Sequence, residues 1–377
     1  MRNISDTIRR LRALQPPMPQ GRAARHSDRL TDMPAFGTNP GMLRARIYVP
    51  AELPDNAPLV VVLHGCTQSA AGYDEGSGWS ALADLHGFAV LFPEQQRSNN
   101  ANLCFNWFVP EDTRRDSGEA LSMRQMIETV VVAHGIDRKR IFVTGLSAGG
   151  AMASVMLATY PEIFAGGAII AGLPHGSASS IPEAFDRMRG HGGPADPALQ
   201  ALLRNASSHK GPWPTISIWH GTADQTVNVS NADRMVAQWR GVHHVTAEPT
   251  ETDSAGKHTI RVWRDAKGRA LIEAHSIAGM GHGTPIDARP VEGGSSAAPF
   301  MLDVGISSTL EIARFWGLAP LADAGEPKVR PANRTRIHAP ANRAAAAPKP
   351  ASQRPETNAK GIGKVIEDAL RAAGLMK

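Results

Sequence analysis

Strand-like apolar runs alternate with helical patterns through the middle of the chain, and this alternation restricts the fold more than any other feature. Seven runs rich in β-branched and apolar residues predict strands at 44–49, 59–64, 88–93, 141–145, 167–172, 215–221 and 271–277. Helical patterns separate several of them, at 79–86, 118–134, 148–160 and 231–239. Several runs are almost entirely apolar, as is typical of strands covered on both faces. The pattern predicts an α/β fold with a mostly parallel central sheet flanked by helices.

The positive charge of the chain lies at its two ends. Residues 1–36 carry seven arginines against three aspartates, and residues 321–377 carry eleven lysines and arginines against five acidic residues. The body between them is therefore mildly acidic, although the whole chain has a net charge of +5. Nucleic-acid-binding folds place basic residues on their folded elements, so this distribution argues against nucleic acid as a partner.

Composition divides the chain into four segments. We predict an N-terminal extension at 1–36, a globular α/β domain at 37–320, a disordered linker at 321–360 and a short amphipathic helix at 361–377. The linker is rich in Pro, Ala and Arg and has almost no large apolar residues, so it has little with which to build a core. The long stretch 174–214 inside the domain is expected to be a partly helical excursion from the sheet.

Short amphipathic stripes lie in both basic ends. Ile362, Ile366 and Leu370 recur every four residues near the C-terminus, and Ile4 and Ile8 begin a similar stripe near the N-terminus. One interpretation is that both ends are solvated extensions. The other is a weak, salt-sensitive contact with an anionic or amphiphilic surface, such as the coat of a storage granule.

Targeting signals are not evident in the sequence. No run approaches the roughly 18 apolar residues of a membrane-spanning helix, so no transmembrane segment is predicted. The first twenty residues lack the apolar core and small-residue cleavage site of a secretory signal. This favours a cytoplasmic location.

One serine stands among small residues where a predicted strand gives way to a predicted helix. The segment from Gly145 to Gly149, G-L-S-A-G, fits the pattern G-x-S-x-G with Ser147 at its centre. The glycines relieve crowding in a sharp turn, and the helix that begins at Ala148 directs backbone N–H groups at whatever Ser147 attacks. The alternative is a glycine-rich turn with a solvated serine. The flanking strand and helix favour a nucleophile.

A serine nucleophile needs a base that takes its proton and an acid that orients the base. In α/β enzymes of this type the acid and then the histidine follow the serine along the chain. Asp224 follows the strand 215–221, and His282 follows the last strand in a Gly-rich loop. We therefore predict a triad of Ser147, Asp224 and His282. His220, at a strand end, is the second choice for the base. His275, within a strand, is expected to be structural, and Asp233, at the start of a helix, is expected on its solvated face.

Two backbone N–H groups are expected to bind the negative oxygen that forms during attack. One belongs to Ala148, directly after the nucleophile. The other belongs to Cys66, in the loop that follows the buried strand 59–64. The chemistry needs only the backbone of Cys66, so its thiol has a separate role.

The loop "NLCFNWFVPED" at 102–112 is a candidate wall of the substrate site. Cys104 in this loop and Cys66 are the chain's two cysteines, so a disulfide would fix the loop beside the predicted oxyanion hole. The alternative is two buried thiols in a reducing compartment. Candidate substrate contacts are Trp107, Asn106 and, in a neighbouring segment, Trp79.

Six blocks together resemble one known family. "LHGCTQ", "GWSALADLHGFAVLFPEQ", "CFNWF", "GLSAGGAMA", "HGTADQTV" and "GMGHGTP" occur in the order found in the polyhydroxybutyrate (PHB) depolymerase family, which also contains feruloyl and acetylxylan esterases. The resemblance covers roughly 40–320. It implies an α/β-hydrolase fold, serine-esterase activity and the same triad of Ser147, Asp224 and His282. Secreted members of the family carry signal peptides, which this chain does not show.

The sequence thus predicts a serine esterase that acts through an acyl-enzyme on Ser147 and requires no metal or other cofactor. Esters of poly- or oligo(3-hydroxyalkanoates) are the favoured substrates, and feruloyl or acetyl esters of plant polysaccharide are the alternative. A binding protein on a retired hydrolase scaffold is a third hypothesis. The intact triad positions argue against it, because a retired site has no reason to keep all three residues.

Overall fold

The computed structural model describes residues 28–289 and 298–321, and within them ten strands form one twisted sheet. The strands are β1 (Thr31–Asp32), β2 (Arg44–Tyr48), β3 (Leu59–Leu63), β4 (Ala89–Glu94), β5 (Ile141–Leu146), β6 (Gly166–Ile170), β7 (Thr215–Gly221), β8 (Glu251–Ala255), β9 (His258–Arg264) and β10 (Ala270–Ile277). Their order is β1-β2-β4-β3-β5-β6-β7-β10-β9-β8. The six central strands are parallel, and antiparallel strands extend both edges. A parallel pair, β11 (Thr284–Ile286) and β12 (Met301–Asp303), lies apart from this sheet.

Helices cover both faces of the sheet. In the described ranges they are α1 (Ala70–Ser77), α2 (Trp79–His86), α3 (Pro110–Thr113), α4 (Gly118–His134), α5 (Ala148–Thr159), α6 (Ile181–Met188), α7 (Asp196–Asn205), α8 (Ser230–His243) and α9 (Ser308–Phe315). Helices α4, α5 and α8 share one apolar cluster with the sheet, and α1, α2 and α9 share the other. The molecule therefore has three layers, as an α/β hydrolase does.

Strand β3 shows why these runs form buried strands. Leu59, Val61 and Leu63 pack into one apolar cluster, whereas Val60 and Val62 pack into the other. Successive side chains of a strand point to opposite faces of the sheet. An uninterrupted apolar run is therefore what a strand with two covered faces requires.

The predicted α/β architecture is confirmed, but the sequence missed several elements. All seven predicted strands are present, and α2 and α4 have the predicted bounds. The hairpin of β8 and β9 was not predicted because β8 is exposed along its whole length and lacks an apolar pattern. The stretch 174–214 contains α6 and α7, and α7 packs on α8 through buried Leu199 and Leu203.

The N-terminal boundary differs from the expected one. Leu30 and Phe36 are buried, and strand β1 pairs with β2, so residues 28–36 belong to the α/β domain and not to an extension. Strand β1 has only two residues, both polar and exposed, so the sequence carries no strand pattern there. The predicted linker, except for Leu321, and the C-terminal helix at 361–377 lie outside the described residues, as does the N-terminal stripe. Among the helices described, none is long and apolar enough to cross a membrane.

A disulfide joins the loops that follow β3 and β4. Cys66 and Cys104 are bonded, with their Cα atoms 4.2 Å apart and a sequence separation of 38. A backbone hydrogen bond from Thr67 N to Asn102 O (2.7 Å) lies beside the bridge. The two loops therefore form one unit at the carboxyl edge of the sheet.

We predict that protein folded under oxidising conditions has no free thiol when it is denatured without reductant. Closing a loop of this length should stabilise the fold by about 4 kcal/mol in the chain-entropy model. The Cys66→Ala/Cys104→Ala double variant should therefore unfold at a lower denaturant concentration than the wild type. Intact-mass thiol counting checks the bond, with fully reduced protein as the two-thiol control. Two free thiols in the oxidised sample would disprove the bridge.

Candidate active site

The turn between β5 and α5 holds Ser147 in a strained backbone conformation. Its φ is 58° and its ψ is −117°, which is a region that residues with a Cβ rarely occupy. A hydrogen bond from Ser147 N to Ile170 O (2.9 Å) fixes the turn against the neighbouring strand. A strained backbone persists only where the contacts around it hold it in place. Residues strained in this way are frequent at functional sites.

Glycines make this turn possible. A Cβ on Gly149 would collide with the carbonyl oxygens of Leu63 and His64, and a Cβ on Gly145 would collide with Gly149 itself. The first turn of α5 therefore lies directly against the end of β3. The sequence pattern G-x-S-x-G predicted this crowding, and the contacts identify the atoms that cause it.

Two crossing loops bring Asp224 and His282 together. Backbone hydrogen bonds join the loop after β7 to the loop after β10, from Thr222 N to Ile277 O and from Ala223 N to Met280 O (both 3.0 Å). A Cβ on Gly221 would collide with the carbonyl oxygen of Met280, so the approach depends on this glycine. As a result, His282 Nδ1 lies 2.7 Å from Asp224 Oδ2. The acid and the histidine that the sequence selected are in direct contact.

The carboxylate of Asp224 is surrounded by donors. Its Oδ1 accepts hydrogen bonds from the backbone N–H groups of Thr226 (2.8 Å) and Val227 (2.9 Å). Burial acts to raise the pKa of this carboxyl, but the ring N–H groups of His220 and His282 near it outweigh burial and hold the pKa of Asp224 well below its usual range. Asp224 is therefore ionised, and an ionised carboxylate orients His282 with its proton on Nδ1. The other ring nitrogen, Nε2, then carries the lone pair that a base needs.

The predicted triad lies along one edge of the sheet. Ser147 follows β5, Asp224 follows β7 and His282 follows β10, and these strands lie within a run of four neighbours. All are parallel, so their carboxyl ends meet at the same edge. Ser147 is partly exposed, whereas Asp224 is buried and His282 is only 9% exposed. This edge combines a reachable hydroxyl with a shielded acid–base pair.

His64 orients the peptide that carries the predicted Cys66 donor. Its ring is fully buried, which lowers its pKa and keeps it neutral. Nε2 accepts a hydrogen bond from Gln95 N (3.1 Å), so the proton is on Nδ1 and is donated to the carbonyl oxygen of Gly65 (2.8 Å). The C=O and N–H of a trans peptide point in opposite directions, so this bond turns the N–H of Cys66 away from the His64 ring. The sequence offered one signal, a polar residue at the end of an apolar strand.

The predicted substrate contacts have different surroundings. Trp107 lies close to the disulfide in the chain, packs edge-on against Phe108 (5.3 Å between ring centroids) and keeps 7% of its surface exposed. Asn106 uses its side chain internally, since Nδ2 donates to Asp112 (3.1 Å) and Oδ1 accepts from Asn100 (3.0 Å). Asn106 therefore shapes the loop.

Trp79 requires a correction. It is 1% exposed and stacks on Trp316 (5.9 Å) on the face of the sheet covered by α1, α2 and α9. No surface of its ring is left for a substrate. The sequence could not distinguish a core tryptophan from one that lines a substrate site, because both occur in similar apolar sequence surroundings.

A buried glutamate anchors the loop that carries Trp107. Glu119, at the start of α4, has 0% exposure and accepts hydrogen bonds from Gln95 Nε2 (2.6 Å), Asn99 Nδ2 (3.3 Å) and Asn106 N (3.0 Å). Burial, reinforced by the charge of Asp112, raises the pKa of Glu119 to about 8. Sequence analysis missed this residue, because an acidic residue in the first turn of a helix is ordinarily a solvent-exposed partner of the helix dipole.

The polar residues that the sequence ranked below the predicted triad have other partners. His275 stacks on Trp219 with 3.6 Å between ring centroids, and Asp233 pairs with Arg261 (2.7 Å). His220 Nε2 lies 3.5 Å from Asp224 Oδ2, and the His220 side chain is 1% exposed. Because a substrate cannot reach it there, His282 is the better candidate for the base.

Known proteins share both the sequence and the fold of this chain. Poly(3-hydroxyalkanoate) depolymerase C of Paucimonas lemoignei is 46% identical over 293 residues, which cover 77% of this chain and 70% of that protein. Feruloyl esterase B of Talaromyces stipitatus is 30% identical over 279 residues, covering 68% and 73% of the two chains. The solved structure of an acetyl xylan esterase from Aspergillus awamori matches with a TM-score of 0.66 at 24% identity, over 77% of this chain and 99% of that one.

A family model described as esterase PHB depolymerase matches residues 43–262. This range contains the strained serine and the buried acid, and His282 follows it on the next strand's loop. The match spans more than half of the chain, and the identity to the depolymerase covers three quarters of it. The chain therefore belongs to the PHB depolymerase family of esterases.

Proposed function

We propose that this protein is a serine esterase that hydrolyses poly- or oligo(3-hydroxyalkanoate) esters through an acyl-enzyme on Ser147. The observation that carries the catalytic part is the 2.7 Å contact between His282 Nδ1 and Asp224 Oδ2, at the sheet edge where the strained Ser147 is partly exposed. The substrate class is supported by the identity of 46% to a poly(3-hydroxyalkanoate) depolymerase, against 30% to a feruloyl esterase and 30% to an acetylxylan esterase of Coprinopsis cinerea.

Acylation begins when Ser147 Oγ attacks the carbonyl carbon of the ester. His282 Nε2 takes the hydroxyl proton, and Asp224 stabilises the imidazolium that forms. The N–H groups of Ala148 and Cys66 donate to the carbonyl oxygen as it becomes negative. When the tetrahedral intermediate collapses, His282 returns the proton to the alcohol oxygen that leaves, and the acyl group stays on Ser147.

Deacylation repeats these steps with water as the nucleophile. His282 takes a proton from the water, which attacks the acyl carbon, and then returns it to Ser147 Oγ. The acid product and the free serine result. Because the disulfide and Glu119 hold the loops around this edge in place, little reorganisation of the protein is needed during the cycle.

Two other hypotheses remain in view. The first is an esterase for feruloyl or acetyl esters of polysaccharide, since relatives at about 30% identity carry those names. The second is a binding protein without catalysis. The strain at Ser147 and the low pKa of Asp224 argue against the second, because a binding surface has no use for either.

We predict that Ser147→Ala lowers kcat for a chromogenic short-chain ester by about 10⁴-fold or more, because the acyl-enzyme no longer forms. Ser154→Ala is the matched control. Ser154 lies in the same helix, α5, and its buried Oγ has no hydrogen-bond partner among the described residues. Activity of this control should equal that of the wild type. A folded Ser147→Ala protein with the wild-type rate would exclude Ser147 as the nucleophile.

A substrate comparison tests the proposed class. Initial rates are measured on 3-hydroxybutyrate oligomers, methyl ferulate and acetylated xylan at equal concentrations of ester bonds. The oligomers should have the highest kcat/KM, by about tenfold or more. A substrate group that does not fit the site weakens transition-state binding by about 1–2 kcal/mol. If methyl ferulate or acetylated xylan is turned over faster, the hydroxyalkanoate proposal is wrong and the polysaccharide alternative replaces it.

A further inference from the structure

A second histidine lies close to the same carboxylate oxygen of Asp224 that contacts the predicted base. His220, near the end of β7, has a side chain that is 1% exposed. Its Nε2 lies 2.8 Å from the carbonyl oxygen of Val227 and 3.5 Å from Asp224 Oδ2. His282 approaches the same carboxylate oxygen at 2.7 Å. The mechanism above gives His220 no role, although it belongs to the same buried cluster.

The neighbours of His220 define where its proton is. Both atoms near Nε2 are acceptors, so Nε2 carries the hydrogen. Its N–H donates to Val227 O and directs its positive end towards Asp224 Oδ2, at a distance too long for a strong hydrogen bond. The other nitrogen, Nδ1, has no hydrogen-bond partner within the described residues.

His220 also lines a cavity of about 300 Å³ between α8 and strands β9 and β10. The charged and titratable groups around it are largely engaged with one another. Arg261 pairs with Asp233 (2.7 Å), and His275 bonds to His258 (2.9 Å) and stacks on Trp219. Asp224 and His282 complete the groups that face His220. Among them, Asp224 is the ionised group closest to its N–H.

We propose that His220 is a positioning residue for ester hydrolysis, whose Nε2–H lies beside Asp224 Oδ2 and reduces the negative charge that this oxygen presents to His282. The proposal rests on the triad proposed above. Oδ1 is fixed by the backbone N–H groups of Thr226 and Val227, so Oδ2 is the atom whose charge remains for the two histidines. A second N–H near Oδ2 keeps this oxygen from holding the His282 proton too tightly.

The competing explanation is purely structural. In this explanation, His220 serves only to hold the loop 221–227 through the carbonyl of Val227, without influencing Asp224. Both explanations expect a loss of stability when the ring is removed. They differ in the pH dependence of the enzyme, because only a donor acting on Asp224 changes the proton affinity of His282.

Three variants separate these explanations. His220→Leu removes the donor, whereas His220→Gln keeps an N–H close to the position of Nε2. His275→Leu is the matched control, since it removes another buried histidine from the same cavity without contacting Asp224. The measurements are kcat, KM and the pH profile of kcat/KM on a soluble p-nitrophenyl ester, together with thermal unfolding.

We expect His220→Leu to move the acid limb of the kcat/KM profile upward by roughly half a pH unit, because Asp224 then holds the proton on His282 more strongly. Its kcat should fall about tenfold with KM little changed, since His220 touches no substrate. His220→Gln should recover most of kcat and should have the wild-type acid limb of the pH profile. His275→Leu should also have the wild-type acid limb, even if its melting temperature is lowered. An unmoved limb in His220→Leu, or an equal shift in His220→Gln, would overturn the proposal.

A measurement on the wild type covers the case in which His220→Leu does not fold. Nitrogen-15 NMR of the histidine rings reports which nitrogen carries each proton. The proposal requires the Nε2–H form at His220 and the Nδ1–H form at His282. The Nδ1–H form at His220 would overturn it. This result does not depend on turnover, so it is distinct from failure of the proposed esterase function, which Ser147→Ala tests separately.

Discussion

The close approach of helix α5 to the end of strand β3 is the contact on which the site depends. Gly149 lies so near the carbonyl oxygens of Leu63 and His64 that a single methyl group would force the two elements apart. This contact places the first N–H groups of the helix beside the loop that carries Cys66. It also sets the backbone of Ser147 in its strained conformation. One packing constraint therefore positions the serine and both proposed oxyanion donors.

Three further connections keep the surrounding loops rigid. The disulfide joins the Cys66 loop to the loop of Trp107. Glu119 anchors the loop of Trp107 by accepting three hydrogen bonds from it. Crossing of the loops after β7 and β10 holds Asp224 against His282. A site that is pre-organised in this way spends little energy on reordering during catalysis, and electrostatic stabilisation is most effective under that condition. The proposed role of the buried His220 extends the same principle to a second group beside Asp224 Oδ2.

The features that the sequence predicted well are those with local causes. Buried strands reveal themselves through uninterrupted apolar runs, and the serine turn reveals itself through glycines two residues on either side. Asp224 and His282 were selected because each follows a strand, which is also a local property. His64 and Glu119 depend on Gln95, which is 31 and 24 positions away and which only the folded chain brings into contact with them. His220 and Asp224 are only four positions apart, but their contact depends on the conformation of the loop after β7. Trp79 was misplaced for the same reason, since its packing on Trp316 is a long-range contact.

The central claim is that Ser147 is a nucleophile activated by His282, and covalent labelling tests it most directly. The native protein is incubated with diethyl p-nitrophenyl phosphate, which phosphorylates activated serines, and the modified residue is located by peptide mass spectrometry. The account predicts one diethylphosphoryl group per chain, on Ser147, formed more slowly in the presence of a competing ester and absent from the His282→Ala variant. A native, folded protein that takes up no label, or takes it up at another serine, would contradict the account.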